Sequence, residues 1–323
     1  MHPLPALGID LSRLHFDAAL LLDGSHPLRA RFENHAGGFR KLRTWLKSHG
    51  LGQVRVAMEA TNTYGEALLQ WAYDHRFDAF LLNPARVLHY ARSLGQRNKT
   101  DRADALTIAR FIAVHEATPW RPLPPQQKTL RSLMRTRYQL VQTQKNLANQ
   151  LRTAEPTAGA YLKAVLDELK QQLRALGRAL QAHLRQFPDL AEQVRRLMTL
   201  KGVGLVTAAT VLAELPPITA QTDPRTICAW AGLTPRRRQS ANCEWRSFLS
   251  RQGNTYLRHA LYMPALVAKR HNPILRQFAT RLAQNKKTTP AILGAISHKM
   301  LRILVGLLRS QTDFDPNWSP KKS

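Results

Sequence analysis

An α/β first domain, a helical coiled-coil arm and a mainly helical, very basic last domain are the architecture this sequence predicts. Three observations predict it. Through residue 114, short apolar runs ending on polar turns alternate with segments of helical spacing. The prolines Pro119, Pro122, Pro124 and Pro125 then interrupt the pattern. Beyond them, leucines recur at helix and heptad positions up to Leu180, and a basic helical segment follows.

Leu7–Asp10 and Phe16–Leu22 read as two strands around a polar turn, with Asp23-Gly24 signalling the next turn. Phe39, Leu42, Trp45 and Leu46 give Gly38–Ser48 helical spacing. Val54–Glu59 is a third strand ending on an acid, Tyr64–Tyr73 a helix, and Phe80–Asn83 a strand stopped by Pro84. Asp101–Val114 is a helix. A first arm helix carries Leu130, Leu133, Met134, Leu140, Val141, Leu147 and Leu151, and Glu155 to Gly159 breaks it. In the second, Leu162, Leu169 and Leu176 share one heptad position and Leu166, Leu173, Leu180 and Phe187 another. An antiparallel hairpin within one chain and a dimerisation arm fit this seam equally well. The expected boundaries are 1–120, 121–189, 190–312 and a frayed tail, 313–323.

Charge divides the chain unevenly. Of 323 residues, 48 are Lys or Arg and 21 Asp or Glu, a net of +27. Residues 1–120 carry 15 basic and 11 acidic groups, net +4; residues 121–323 carry 33 and 10, net +23. Polyanion binding therefore belongs mainly to the second part. Hydrophobic content is 44% with no apolar run near the ~20 residues of a spanning helix. The start, Met1 to Pro5, lacks the basic-then-apolar layout of a signal peptide. Cys228 and Cys243 are too few for a disulfide framework or a cysteine zinc site. A cytoplasmic nucleic-acid protein with no membrane association is the expectation.

Against that background Asp10, Glu59, Asp101 and Asp104 stand out, since a basic chain has little electrostatic reason to gather acids unless they hold a cation. Asp10 and Glu59 end apolar strands; Asp101 and Asp104, three apart at a helix start, share a face. Each acid has a plainer reading: Asp101 as an N-cap with Asp104 reaching back, Asp10 as a turn start, Glu59 as an exposed strand end. Because Asp10 and Glu59 both follow apolar stretches directly, the joint reading stands level with the separate ones. In Lys201-Gly202-Val203-Gly204, between two helical patterns, the glycines permit a tight turn and the following helix start offers N–H groups to phosphate. This resembles a helix-hairpin-helix element; a glycine C-cap fits equally. Finally, Arg236, Arg237 and Arg238 precede Ser240 in a polar loop after Pro235. The arginines suit phosphate clamping; on chemistry alone a serine beside them is more often a phosphate contact than a nucleophile, and no histidine lies nearby in sequence to act as its base.

Gly8-Ile9-Asp10, Met58-Glu59-Ala60-Thr61, Arg97 to Asp101 with Asp104, and Ala231 to Ser240 followed by Leu257 to Leu261 together resemble the DEDD transposases of the insertion-sequence family one-ten. These are related to Piv-type DNA invertases and act as bridge-RNA-guided recombinases. The resemblance runs through nearly the whole chain in the right order. It implies a RuvC-like, RNase-H-type first domain whose four acids hold Mg²⁺, and a last domain supplying Ser240 as the nucleophile of a phosphoserine link to DNA. It further implies a homo-oligomer, dimer or tetramer, and a structured guide RNA pairing with donor and target DNA. Asn62 and Ala241 stand where family members often have glycine; at 241 the change stiffens the segment presenting Ser240. A RuvC-type Holliday-junction nuclease would require the acids but not Ser240, and a non-catalytic binder neither.

Overall fold

Alternating apolar runs in the first third build one mixed sheet. Its strands are β1 (Ala6–Leu11), β2 (His15–Leu21), β3 (Leu28–Glu33), β4 (Arg55–Glu59) and β5 (Asp78–Leu82), in the order β3-β2-β1-β4-β5. Among the described residues, the α-helices α1 (Ala36–Ser48), α2 (Glu66–Asp74), α3 (Pro84–Ser93) and α4 (Asp101–Val114) accompany them. Strands β1, β2 and β3 pair antiparallel, whereas β1, β4 and β5 run parallel. The computed structural model describes residues 4–22, 26–60, 63–95, 101–236, 239–240, 243–244, 248–250 and 252–316.

Strand periodicity sorts the residues onto two faces. Leu7, Ile9, Phe16, Ala18, Leu20, Val56 and Met58 pack with Phe39, Leu42, Leu46, Leu68 and Leu69 of α1 and α2. Ala6, Ala57, Phe80 and Leu82 pack with Ile108, Phe111 and Ile112 of α4 on the opposite face. Gly8 belongs to the α4 face: a Cβ there would lie 2.1 Å from the Ala105 carbonyl oxygen and 2.3 Å from the Ala109 nitrogen. Only glycine lets the helix backbone rest on the strand.

Two elements differ from expectation. Strand β3 has the charged sequence Leu-Arg-Ala-Arg-Phe-Glu and lies at the sheet edge, so it lacks an apolar run. Pro84 ends β5 and also begins α3 at its first turn, with the Asn83 side chain capping the Ala85 N–H.

The chain divides into compact units of 1–122 and 123–323. The second contains the arm helices α5 (Pro125–Leu151) and α6 (Pro156–Gln186), followed by α7 (Pro188–Met198), α8 (Leu205–Glu214) and α9 (Pro224–Trp230). Four short strands come next: β6 (Pro235–Arg236), β7 (Gln239–Ser240), β8 (Cys243–Glu244) and β9 (Phe248–Leu249). Helices α10 (Thr255–His271), α11 (Pro273–Gln284) and α12 (Thr289–Ser310) complete it. Helices α5 and α6 form an antiparallel hairpin: Gly159 lies beside Leu151 at one end, and His183 Nε2 is 2.8 Å from the Gln126 carbonyl oxygen at the other. At its base Leu130, Met134, Leu180 and Leu184 join the core of the unit. Farther out, Leu162, Leu169, Leu173 and Leu176 are half-buried and Tyr161 is exposed.

Helix α12 reaches membrane-spanning length and mean hydropathy, although Ser297, His298, Lys299 and Arg302 interrupt its apolar residues. It has 22 residues and a window of mean hydropathy 1.6. Its apolarity serves the core instead, where Ile296, Met300, Leu301, Leu304 and Val305 are fully covered.

Candidate functional site

The register of β1 and β4 determines where the first two acids stand. Gly8 pairs with Ala57 and Ile9 with Met58, so the next step along both parallel strands brings Asp10 level with Glu59. Neighbouring strands lie about 4.8 Å apart. Both acids belong to the α4 face, because Asp10 follows Gly8 and Glu59 follows Ala57 by one strand period.

Helix α4 runs antiparallel to β1. Its later residues Ile108 and Ile112 pack on Ala6, and Arg55, level with Ala6, donates Nη1 to the Ile112 carbonyl and Nη2 to that of His115 at 3.5 Å. Arg55 thereby caps the C-terminal end of α4 and fixes it along the strand. Two residues from Gly8 to Asp10 span about 6.6 Å of strand, equal to about four residues of helix. Counting back from the Ala105–Ala109 contact reaches the helix start, Asp101 to Asp104. The backbone therefore brings all four expected acids to one end of the sheet, beside the partially positive helix N-terminus. Asp104, Asp10 and Glu59 are each half-buried, and none is without a polar partner. The side chain of Asp101 lies outside the described residues.

A fifth acid, Asp17, joins this end. It pairs directly with Asp10 across β1 and β2, is 8% exposed, and accepts two bonds from Arg31 at 3.1 and 2.7 Å. Its sequence signal was a carboxylate inside the apolar run Phe16–Leu20. Beyond the strand ends, Asn34 Nδ2 donates to the Ser12 and Tyr64 carbonyls at 3.1 and 3.2 Å, tying the segments after β1 and β4 together. The donors are all hard oxygens, the chemistry that suits Mg²⁺. Among the described residues, no three acid, histidine or cysteine side chains stand close enough to hold a metal ion.

In the second unit, Lys201-Gly202-Val203-Gly204 forms the turn between α7 and α8. Gly202 has φ +107°, and a Cβ there would be 3.2 Å from the Pro264 carbonyl oxygen of α10. Gly204 is the N-cap of α8 with open space around it and no side-chain cap. The turn therefore presents the free N–H end of α8.

The segment expected as a polar loop around Ser240 is instead a pair of short antiparallel ladders. Pro235 and Arg236 pair with Leu249 and Phe248; Gln239 and Ser240 pair with Glu244 and Cys243. Strands of two residues leave no periodicity to read. Arg237, Arg238, Asn62 and Ala241 lie outside the described residues, as do the side chains of Arg236 and Ser240.

The base of this hairpin is tightly built. Gly232 has φ +70°, and Arg258 donates Nη1 to the Ala231 carbonyl at 3.1 Å. A Cβ on Gly253 would meet the Trp230 carbonyl oxygen at 2.1 Å, and Leu249 fills the space left by Gly294. Asn254 caps α10 through the Leu257 N–H at 3.0 Å and donates to Glu214 at 2.7 Å. Glu214, 1% exposed, takes a bidentate pair from Arg135 of α5 at 2.7 and 2.9 Å. This network joins α5, α8 and α10, and sequence reading missed it because its hydrogen-bonded partners are 40 and 79 positions apart.

A family model described as a transposase, of the IS110 DEDD type, matches residues 7–154, and the model "Transposase IS116/IS110/IS902 family" matches residues 194–280. The pilin gene-inverting proteins of Moraxella bovis and Moraxella lacunata are each 28% identical to the chain, over 96% of it and 97% of their own length. A probable family 20 transposase of Pseudomonas aeruginosa is 25% identical over 81% of the chain and 86% of that protein. With both models matched in order across well over half its length, the chain belongs to the IS110 family of transposases.

Proposed function

We propose that the protein is a Mg²⁺-dependent DNA recombinase that cuts and rejoins strands through a phosphoserine intermediate, directed by a structured guide RNA. The observation that carries this reading is the meeting of Asp10, Glu59 and the start of α4 at one end of the sheet. The strand order and directions support a RuvC-like, RNase-H-type domain for residues 1–120. Relatives named for inverting a pilin gene favour recombination over simple cutting.

Asp10, Glu59, Asp101 and Asp104 would hold Mg²⁺. When bound, the ion supplies charge neutralisation at the phosphate and lowers the pKa of a coordinated oxygen. Asp17, already paired with Arg31, limits the negative charge that this end presents without the ion. Ser240 attacks phosphorus with its Oγ; the sugar oxygen leaves with a proton, and the new serine ester conserves the phosphodiester for rejoining. Arg236, Arg237 and Arg238 neutralise phosphate charge beside the serine. The Lys201–Gly204 turn grips a backbone phosphate through the α8 N–H groups.

Residues 121–189 act as an arm, 190–312 as the serine-bearing domain and 313–323 as a tail; against the expectation of fraying from Asp313, Asp313 pairs with Arg195 at 2.8 Å and the Phe314 N–H donates to the Thr199 hydroxyl at 2.9 Å. The half-buried leucines and exposed Tyr161 of the arm support assembly into a homo-oligomer, dimer or tetramer. The net +23 of residues 121–323 supports binding of both donor and target DNA and RNA.

Incubation with Mg²⁺, a transcript of the element's flanking region and matching DNA, followed by a denaturing gel, tests the serine step. A protein–DNA adduct lost in Ser240→Ala is the expected result. Cleavage that persists in Ser240→Ala without any adduct would replace the recombinase with a nuclease.

A further inference from the structure

Helices α11 and α12 carry a cluster of like charges that the recombinase chemistry does not use. We propose that Arg281, Lys299 and Arg302 form a separate phosphodiester-binding site, which grips nucleic-acid backbone without reading its sequence. The proposal rests on the nucleic-acid reading of the chain; its three cations lie beyond both matched family segments, which end at residues 154 and 280, while the Phe278 ring that two of them share lies just inside the second.

The geometry is specific. The Arg281 guanidinium carbon lies 5.5 Å from the centroid of the Phe278 ring, and Lys299 Nζ lies 4.6 Å from the same centroid. Two cations from different helices therefore share one ring. Arg302 follows Lys299 by three residues on α12, placing it one turn along the same face. Among the described residues, none of the three pairs with a carboxylate. Arg281 and Arg302 are exposed and Lys299 half-buried, so a ligand can reach them.

Crowding like charges costs folding free energy. Burial first, then Arg281 and Arg302, hold the Lys299 ammonium below its ordinary pKa. Burial and Arg302 act on His298 in the same direction. A fold keeps such an arrangement when a polyanion turns the repulsion into affinity. The support is rigid: Met300 and Leu301 anchor α12 in the core, and Phe278 packs against that core. Fixed cations lose little freedom when a phosphate binds.

The test is fluorescence anisotropy of the full chain with a labelled DNA duplex of about 30 base pairs and with a labelled RNA hairpin, from about 50 to 200 mM salt. In the Arg281→Gln/Lys299→Gln/Arg302→Gln variant, the slope of log K against log salt should become shallower by about 2 to 3 units on duplex DNA, near 0.9 per phosphate contact. Its melting temperature should hold or rise, because repulsion is relieved. A control, Arg40→Gln/Arg43→Gln/Lys47→Gln, removes the same charge from the exposed face of α1. It should change the slope less. Loss on the duplex alone or on the hairpin alone supports the site and identifies the source of the backbone.

An unchanged slope on both nucleic acids, or a change matched by the control, overturns the proposal. So does a lower melting temperature with binding intact, which would make the cluster structural. If the triple variant fails to fold, Arg302→Glu, which can pair with Lys299, keeps the test open and should flatten the slope in the same way. Wild-type protein that binds neither nucleic acid contradicts the functional reading itself and the site with it.

Discussion

Asp10 and Glu59 stand on two adjacent interior strands of a five-stranded sheet, next to Ile9 and Met58, which have no exposed surface. Ser240 stands on a two-residue ladder whose described anchors lie at its base, in Gly232, Leu249, Gly253 and Asn254. The acid end is therefore fixed by backbone register and helix packing, which tolerate almost no displacement. The serine hairpin is fixed by hydrogen bonds and a buried ion pair around its foot. Groups proposed to share an ion need a constant spacing, and rigid elements provide it. On the proposed reading, a serine that must meet a DNA strand needs a firm foot.

If that contrast holds, a side chain at Gly8 should break the first region more completely than loss of the Glu214 ion pair breaks the second. Gly8→Val drives atoms into the Ala105 and Ala109 backbone and should cost more than about 4 kcal/mol. Hydrogen exchange should show lost protection in 4–22 and 101–114, with 188–214 unaffected. Next, Glu214→Ala leaves Arg135 without its buried partner and should cost about 3 kcal/mol, measured by urea denaturation. Its exchange effect should centre on 131–138 and 254–258.

A smaller effect concerns Cys228, fully buried, whose thiol is pushed up to about 12 by burial. At pH 8 the reactive thiolate is then a fraction of about 10⁻⁴, so iodoacetamide should label Cys228 only after unfolding, by mass-spectrometric mapping. The smallest effect belongs to Gly204→Ala. With φ −96° and nothing within 4 Å, it should change stability by less than about 1 kcal/mol, the opposite of Gly8→Val.

The sequence made the central strands and α4 legible because each carries an uninterrupted apolar signal, and the acids were visible as the polar ends of those signals. Strand β3 was hidden because an edge strand need not be apolar, and Asp17 was hidden with it because its partner Arg31 lies on β3. Pro84 read as a stop although Asn83-Pro84 is also a helix start. The hairpin ladders are too short to show alternation, and the Glu214 network depends on contacts between residues far apart in the chain. Local pattern carries the elements, while pairing and burial decide which polar groups meet.

The central claim is that the acid end of the first unit and Ser240 of the second serve one reaction. The most direct measurement is the yield of covalent protein–DNA adduct from Asp10→Asn protein with Ser240 intact, in Mg²⁺, beside wild type and with folding checked by hydrogen exchange. The account predicts that the adduct falls by about 10³-fold or more while DNA affinity is retained. An adduct formed at the wild-type rate would contradict it, separating the serine chemistry from the acids altogether.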